Sequence, residues 1–137
     1  MMKCKLTGKT IKPFMSSGKM PLANGFLNKE EFDSEYFFEM EVGFSEDLSL
    51  FQLNDHPKPE RMFNEKYPFF TGSSELMKLH FKNFAEWLKN NYINSNSKIL
   101  EIGSNDGTFL NNFKNMNIDY IGFEPSKNVA MEAKKKG

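Results

Sequence analysis

Residues 98–107 read Lys98-Ile-Leu-Glu-Ile-Gly-Ser-Asn-Asp-Gly107, and residues 120–126 read Tyr120-Ile-Gly-Phe-Glu-Pro-Ser126. The first stretch predicts a short buried strand that ends in a tight glycine turn, and the second predicts another strand with an acidic residue at its end. Between them, the apolar residues predict a helix that faces the sheet, through Phe109, Leu110 and Phe113. This strand, helix, strand and helix order predicts the start of a Rossmann-like parallel sheet.

Two segments precede this stretch, and together the three give an α/β fold class. Residues 1–56 contain short alternating apolar runs among Gly, Pro and Asn, which predicts a small β module. Residues 57–97 predict a linker and an amphipathic helix from about Ser74 to Asn91, capped by a serine. Residues 98–137 then predict the first β-α-β-α of a Rossmann-like domain, truncated after two strands.

Composition argues against several classes of function. The 137 residues carry 18 basic and 18 acidic side chains, so the net charge of +0 gives no electrostatic reason to expect binding to nucleic acid or to an acidic membrane. No apolar run approaches the ~18 residues of a membrane span. The single cysteine, Cys4, and the absence of an apolar leader predict a cytoplasmic protein.

The glycine turn carries most of the candidate site residues. Gly103 allows a sharp turn directly after the strand, and Gly107 allows close contact between helix and strand. Asn105 stands where a middle glycine is expected and tolerates a left-handed backbone better than most residues. Glu101 and Asp106 place negative charge on either side of the turn.

These charges favour S-adenosylmethionine over a dinucleotide as the cofactor. A dinucleotide places its pyrophosphate at the helix N-terminus, where Asp106 would repel it. S-adenosylmethionine carries a sulfonium and an ammonium, which carboxylates suit. Glu124 follows Gly103 by 21 residues, close to the ~20 expected for an acid that accepts both ribose hydroxyls. We expect Pro125 and Ser126 to shape the adenine side, and Ser126 to cap the last helix.

The motifs Glu101-Ile-Gly-Ser-Asn-Asp-Gly107 and Gly122-Phe-Glu-Pro-Ser126 resemble those of the sugar C-methyltransferases of deoxysugar and surface-polysaccharide biosynthesis. Pro21-Leu-Ala-Asn24 and Tyr67-Pro-Phe-Phe-Thr-Gly-Ser-Ser74 resemble them too. The resemblance implies methyl transfer from S-adenosylmethionine to a ring carbon of a nucleotide-linked keto-sugar, after a general base deprotonates the carbon beside the ketone. In the family that base lies beyond position 137, so no catalytic residue is assigned.

The resemblance also implies that residues 67–74 approach the methionine end of the cofactor. Tyr67, Thr71 and Ser74 would then donate hydrogen bonds to its carboxylate. The full set of expected cofactor-binding residues is Glu101, Gly103, Ser104, Asn105, Asp106, Gly107, Glu124, Pro125, Ser126, Tyr67 and Ser74.

Family members carry two Cys-x-x-Cys pairs in a small N-terminal zinc-binding module. This chain keeps Cys4 but has Thr7, Ser45 and Leu48 at the three other positions. Structural zinc needs four Cys or His donors. We therefore expect no zinc, and a module held together by apolar packing of Phe38, Phe44, Leu50 and Leu53.

Three classes of function stay open at this point. The first is the methyltransferase, with a nucleotide-sugar as the substrate of the full-length enzyme. The second is a non-catalytic binding or interaction module that needs a partner chain. The third is a dinucleotide-binding Rossmann protein, against which Asp106 and the missing third glycine argue. A two-stranded sheet leaves edges open, so oligomerisation through such an edge is also expected.

Overall fold

The computed structural model describes residues 1–137. The chain divides into two units, Met1–Met62 and Phe63–Gly137. No helix is long and apolar enough to cross a membrane. The architecture is mixed α/β with two small sheets, one in each unit.

The first unit is built on a three-stranded antiparallel sheet in the order β1-β2-β3. Its strands are β1 (Pro13–Pro21), β2 (Phe37–Ser45) and β3 (Leu50–Leu53). A 3₁₀ helix at Lys29–Ser34 lies between β1 and β2, another at Glu46–Leu48 joins β2 to β3, and the short helix α1 covers Pro59–Met62. The alternating apolar runs predicted β2 and β3. Strand β1 was missed because it contains Gly18 and a proline at each end, which is compatible only with an edge strand.

Apolar packing in the first unit differs from the prediction. Phe44 packs against Phe51, with 4.8 Å between ring centroids, and Phe51 packs against Phe14 at 5.2 Å. The fully buried apolar residues are Met2 and Cys4, whereas Leu50, predicted to be part of the core, is exposed. A single three-stranded sheet cannot bury both of its faces, so residues outside the strands supply part of the core.

The second unit contains helix α2 (Glu75–Asn91), strands β4 (Lys98–Ile102) and β5 (Asp119–Phe123), and helix α3 (Lys127–Lys136). Strands β4 and β5 are parallel, with Lys98 opposite Asp119 and Ile102 opposite Phe123. Helix α2 begins where the serine signal predicted, because Ser74 Oγ accepts a hydrogen bond from Met77 N–H at 3.3 Å.

The predicted α-helix between β4 and β5 is wrong. The crossover contains only a four-residue 3₁₀ helix, Leu110–Phe113. Asn112 Nδ2 donates to the backbone carbonyls of Thr108 and Phe109, a side-chain competition that disfavours regular helix. The apolar positions were nevertheless identified correctly, because Phe109, Leu110 and Phe113 are all buried.

One face of the parallel sheet is covered and the other is not. Ala85 of α2 forms a buried cluster with the crossover residues Phe109, Leu110 and Phe113, and Ile99 and Tyr120 of the sheet pack against it. The opposite face is apolar but exposed, at Leu100, Ile102, Ile121 and Phe123. A Rossmann-like fold carries helices on both faces of a longer sheet. The two parallel strands are compatible with such a fold, which stays a prediction.

Candidate functional site

The glycine turn and the acidic residue meet at the carboxyl ends of β4 and β5. Gly103 N–H and Ser104 N–H both donate to the carbonyl of Phe123, at 2.8 and 3.1 Å, which fixes the turn to the end of β5. Gly103, Asn105 and Gly107 have φ values of 76°, 49° and 72°. These are left-handed conformations, so the residue types that the sequence analysis singled out are those that the backbone needs.

Glu124 is held in place by backbone amides on two sides. Its Oε2 accepts from Asn105 N–H at 3.0 Å, and its Oε1 accepts from Ser126 N–H at 2.7 Å. Each carboxylate oxygen can accept a further hydrogen bond, so the group keeps acceptor capacity for two hydroxyls. Glu124 also lines a cavity of about 420 Å³, together with Ser104, Gly107, Tyr120, Gly122 and Lys136.

Asp106 is already occupied by partners within the unit. It is 4% exposed, and its carboxylate accepts from Gly72 N–H at 2.9 Å and from Thr108 Oγ1 at 2.6 Å. Lys136 Nζ lies 3.2 Å from Asp106 Oδ2. Desolvation raises the pKa of Asp106, but the hydrogen bonds from Thr108, Gly72 and Lys136 outweigh it and leave the pKa below its ordinary value.

This pairing corrects the electrostatic argument about Asp106. The repulsion of a pyrophosphate assumed an uncompensated carboxylate, whereas Lys136 compensates the charge. The better argument against a dinucleotide is the backbone. Pyrophosphate binding uses the N-terminus of an α-helix, and the crossover after the turn has only the 3₁₀ helix Leu110–Phe113.

Glu101 is the least satisfied charged group of the site. It lies on β4, opposite Gly122 of β5, and its Oε2 is buried with no hydrogen-bond partner. Desolvation raises the pKa of Glu101 from 4.5 to about 7. A half-buried carboxyl without a partner favours either a proton or a neighbouring cation.

Residues Phe69–Ser73, here called the strap, lie against the glycine turn. Thr71 N–H donates to Asn105 Oδ1 at 2.8 Å, and Asn105 Nδ2 donates to the carbonyl of Phe69 at 3.1 Å. Gly72 is required at its position, because a Cβ there would lie 2.6 Å from Asp106 Oδ2. The strap therefore lies directly beside the glycine turn. That residues 67–74 approach a cofactor stays a prediction.

The two predicted hydroxyl donors beside the strap have structural contacts of their own. The Tyr67 ring packs against Phe63 and Phe69, with centroids 5.9 and 5.7 Å apart, and its carbonyl accepts from Asn128 Nδ2 at 2.8 Å. Ser74 Oγ caps α2. A role of Tyr67 or Ser74 in cofactor binding stays a prediction.

Three further predicted site residues lie at the same edge. Ser104 is buried, and a Cβ at Gly122 would lie 2.5 Å from Ser104 Oγ, so β5 must carry glycine there. Pro125 is exposed. Ser126 is fully buried at the start of α3, but its side chain makes no capping hydrogen bond, which corrects the predicted cap.

Sequence reasoning missed Gly72, Thr108, Asn128 and Lys136 as parts of the site. Thr108 lies two residues after Asp106, a spacing at which a hydroxyl reaches a carboxylate, so this contact had a local signal. Lys136 lies 30 residues from Asp106, at the end of α3. Its contact with the glycine turn depends on how the chain folds and has no signal in the sequence.

The donor set of the first unit does not fit structural zinc. Cys4 is 1% exposed, and the polar groups of Thr7 and Gln52 beside it lower the pKa of its thiol to about 6. Two tight turns are present, with left-handed backbone at Gly8 and Ser49. However, no group of three or more His, Cys, Asp or Glu side chains is placed to hold a metal ion. The absence of zinc stays a prediction.

Comparison with known families bears on this unit. Residues 4–63 match the family model of a methyltransferase-associated domain whose description is "Putative zinc binding domain". No curated protein sequence matches the chain. The N-terminal part of the chain is thus similar to a domain that occurs in methyltransferases, although it has Thr7, Ser45 and Leu48 at three of the four positions expected to bind metal.

Proposed function

We propose that this chain is the cofactor-binding part of an S-adenosylmethionine-dependent methyltransferase. The observation that carries the proposal is the Glu124 carboxylate, which two backbone amides fix at the carboxyl ends of two parallel strands. Ligands of open α/β sheets bind at this edge, where an acid accepts the ribose hydroxyls. The methyltransferase-associated domain matched by residues 4–63 supports the same class.

The described residues suit the parts of this cofactor. Glu124 would accept from the ribose hydroxyls, and Pro125 and Ser126 would lie on the adenine side. Glu101, with its buried unpartnered oxygen, would face the positively charged groups of the cofactor. The hydroxyls of Thr71, within the strap, and of Ser74, next to it, would donate to the carboxylate of the cofactor. When bound, S-adenosylmethionine supplies an electrophilic methyl group.

For the acceptor we propose a nucleotide-linked keto-deoxysugar that is methylated on carbon. The support is the series of motifs from Pro21-Leu-Ala-Asn24 to Gly122-Phe-Glu-Pro-Ser126, in the order in which sugar C-methyltransferases have them. Such a reaction needs a general base for the carbon beside the ketone. None of the residues around Glu124 is assigned to that role.

A non-catalytic module that needs a partner chain is the second candidate. The uncovered face of the parallel sheet favours it, because Ile102 is 84% exposed and Leu100, Ile121 and Phe123 surround it. An apolar face of this kind, with open strand edges beside it, is suited to association. This candidate predicts the same cofactor site but no turnover without the partner.

Titration calorimetry with adenosine, 2′-deoxyadenosine and 3′-deoxyadenosine tests the role of Glu124 without altering the protein. We expect adenosine to bind and each deoxy compound to bind about tenfold more weakly, because a charge-assisted hydrogen bond is lost. S-adenosylmethionine should bind more tightly than adenosine, and NAD more weakly. Equal affinity for the three nucleosides, or preference for NAD, contradicts the proposal.

A further inference from the structure

Asn105 contacts both Glu124 and the strap. Its backbone N–H donates to Glu124 Oε2 at 3.0 Å. Its side-chain amide is bidentate to the strap: Oδ1 accepts from Thr71 N–H at 2.8 Å and Nδ2 donates to the Phe69 carbonyl at 3.1 Å. The amide therefore pairs with the strap backbone on both sides of Phe70, as a neighbouring strand would.

This pairing leaves the strap with a defined position relative to Glu124. The other contact from the turn to the strap is Asp106, which accepts from Gly72 N–H. Without the Asn105 amide, Thr71 N–H would lose this acceptor and the Phe69 carbonyl would lose this donor. Backbone groups without partners are costly unless the segment moves to reach water.

We propose that Asn105 is a positioning residue that holds the strap at a fixed distance from Glu124, so that the site selects ligands in which an adenosine carries an amino-acid chain. This inference rests on the proposed function. Under the proposed function, adenosine would bind at Glu124 without a contact to the strap. A ligand with a further chain gains from a strap that is already ordered, because it does not bear the entropy cost of ordering that segment.

Asn105→Gly separates the two roles. Glycine adopts the φ of 49° without strain, and the N–H to Glu124 remains, so only the bonds to the strap are removed. Asn105→Asp keeps the acceptor for Thr71 N–H and loses the donor to Phe69, so its effect should be intermediate. Asn115→Gly, at an exposed position of the same unit, is the matched control.

Two measurements are made on the full chain. Amide hydrogen exchange of the free protein should show faster exchange at Thr71 in Asn105→Gly than in the original chain. Calorimetry should show about tenfold weaker binding of S-adenosylmethionine and unchanged binding of adenosine. A purely structural role would weaken both ligands by the same factor. Asn115→Gly should change neither affinity.

The outcomes distinguish the inference from the proposed function. If the original chain binds both ligands but Asn105→Gly weakens them equally or not at all, the inference is wrong and the proposed function stands. If the original chain is folded and binds neither adenosine nor S-adenosylmethionine, the proposed function is wrong and the inference falls with it. Selective loss of S-adenosylmethionine affinity supports both.

Discussion

Glu101→Gln should change how the stability of the protein depends on pH. Burial of its carboxyl without a hydrogen-bond partner raises the pKa of Glu101 from 4.5 to about 7. Since the pKa is higher in the folded state than in the unfolded state, the folded state keeps a proton that the unfolded state releases. The free energy of unfolding therefore falls as the pH rises from 4.5 through 7, and it levels off once the carboxyl is ionised in both states.

The size of the effect follows from that pKa difference. A difference of about 2.5 corresponds to about 3 kcal/mol when integrated over the whole titration. Because Glu101 is only half-buried, solvent screening reduces this figure, and we expect about 1 to 1.5 kcal/mol between pH 5 and pH 8. Glutamine has nearly the same shape and does not titrate, so Glu101→Gln should be more stable than the original chain at pH 8 and similar to it at pH 5.

Urea unfolding followed by circular dichroism at the two pH values measures this difference. Glu86→Gln, at an exposed position of α2, is the matched control for replacing a glutamate with glutamine. Comparing each variant with the original chain at each pH cancels the contributions of all other titrating groups. If Glu101→Gln changes the free energy of unfolding by the same amount at pH 5 and pH 8, the carboxyl is not desolvated as described and the reasoning is refuted.

Four further predictions rest on other contacts. Binding of S-adenosylmethionine at pH 6.5 should release up to about one proton, because a cation beside Glu101 favours its charged form; calorimetry in buffers of different ionisation enthalpy would show no release if Glu101 does not face the ligand. Phe113→Ala should lower the free energy of unfolding by about 3 to 5 kcal/mol, since Phe113 is fully buried; a loss below 1 kcal/mol in urea unfolding would contradict its place in the core. Gly72→Ala should displace the strap from Asp106 and speed amide exchange at residue 72; unchanged protection would show that the strap tolerates a Cβ. Zinc or a chelator should leave the melting temperature unchanged, because Cys4 is the only thiol; a zinc-dependent rise would mean that other donors complete a site.

Structural features that depend on residues close together in the sequence could be predicted from the sequence. Ser74 and the apolar spacing after it predicted the start of α2. Gly103 predicted a sharp turn and Asn105 a residue that tolerates left-handed backbone, and the structure has left-handed backbone at both positions. The prediction of a helix in the crossover was wrong, and the reason also lies close by in the sequence. The Asn112 side chain donates to the carbonyls of Thr108 and Phe109, which competes with the backbone hydrogen bonds of a regular helix. Apolar spacing alone cannot weigh such a competing hydrogen bond.

Contacts between distant parts of the chain were beyond sequence reasoning. Asn105 and Thr71 are 34 residues apart, and Asp106 and Lys136 are 30 residues apart. Their residue types are common on protein surfaces, so nothing in the pattern distinguishes them from solvated side chains. The sequence predicted a site at the carboxyl ends of β4 and β5, and its use by a cofactor stays a prediction. The pairing of the charges around the turn could be read only from the structure.

The dual role of Glu124 decides how its function must be tested. Its carboxylate accepts from Asn105 N–H and Ser126 N–H, so it stabilises the turn and the start of α3 even without a ligand. Glu124→Ala would leave both amides without that acceptor and would weaken binding through the fold alone. Loss of binding in that variant therefore cannot separate ribose recognition from local unfolding. Deoxyadenosines remove one hydroxyl at a time from the ligand and leave the protein intact, so a selective loss of their affinity can be assigned to a hydroxyl that contacts Glu124.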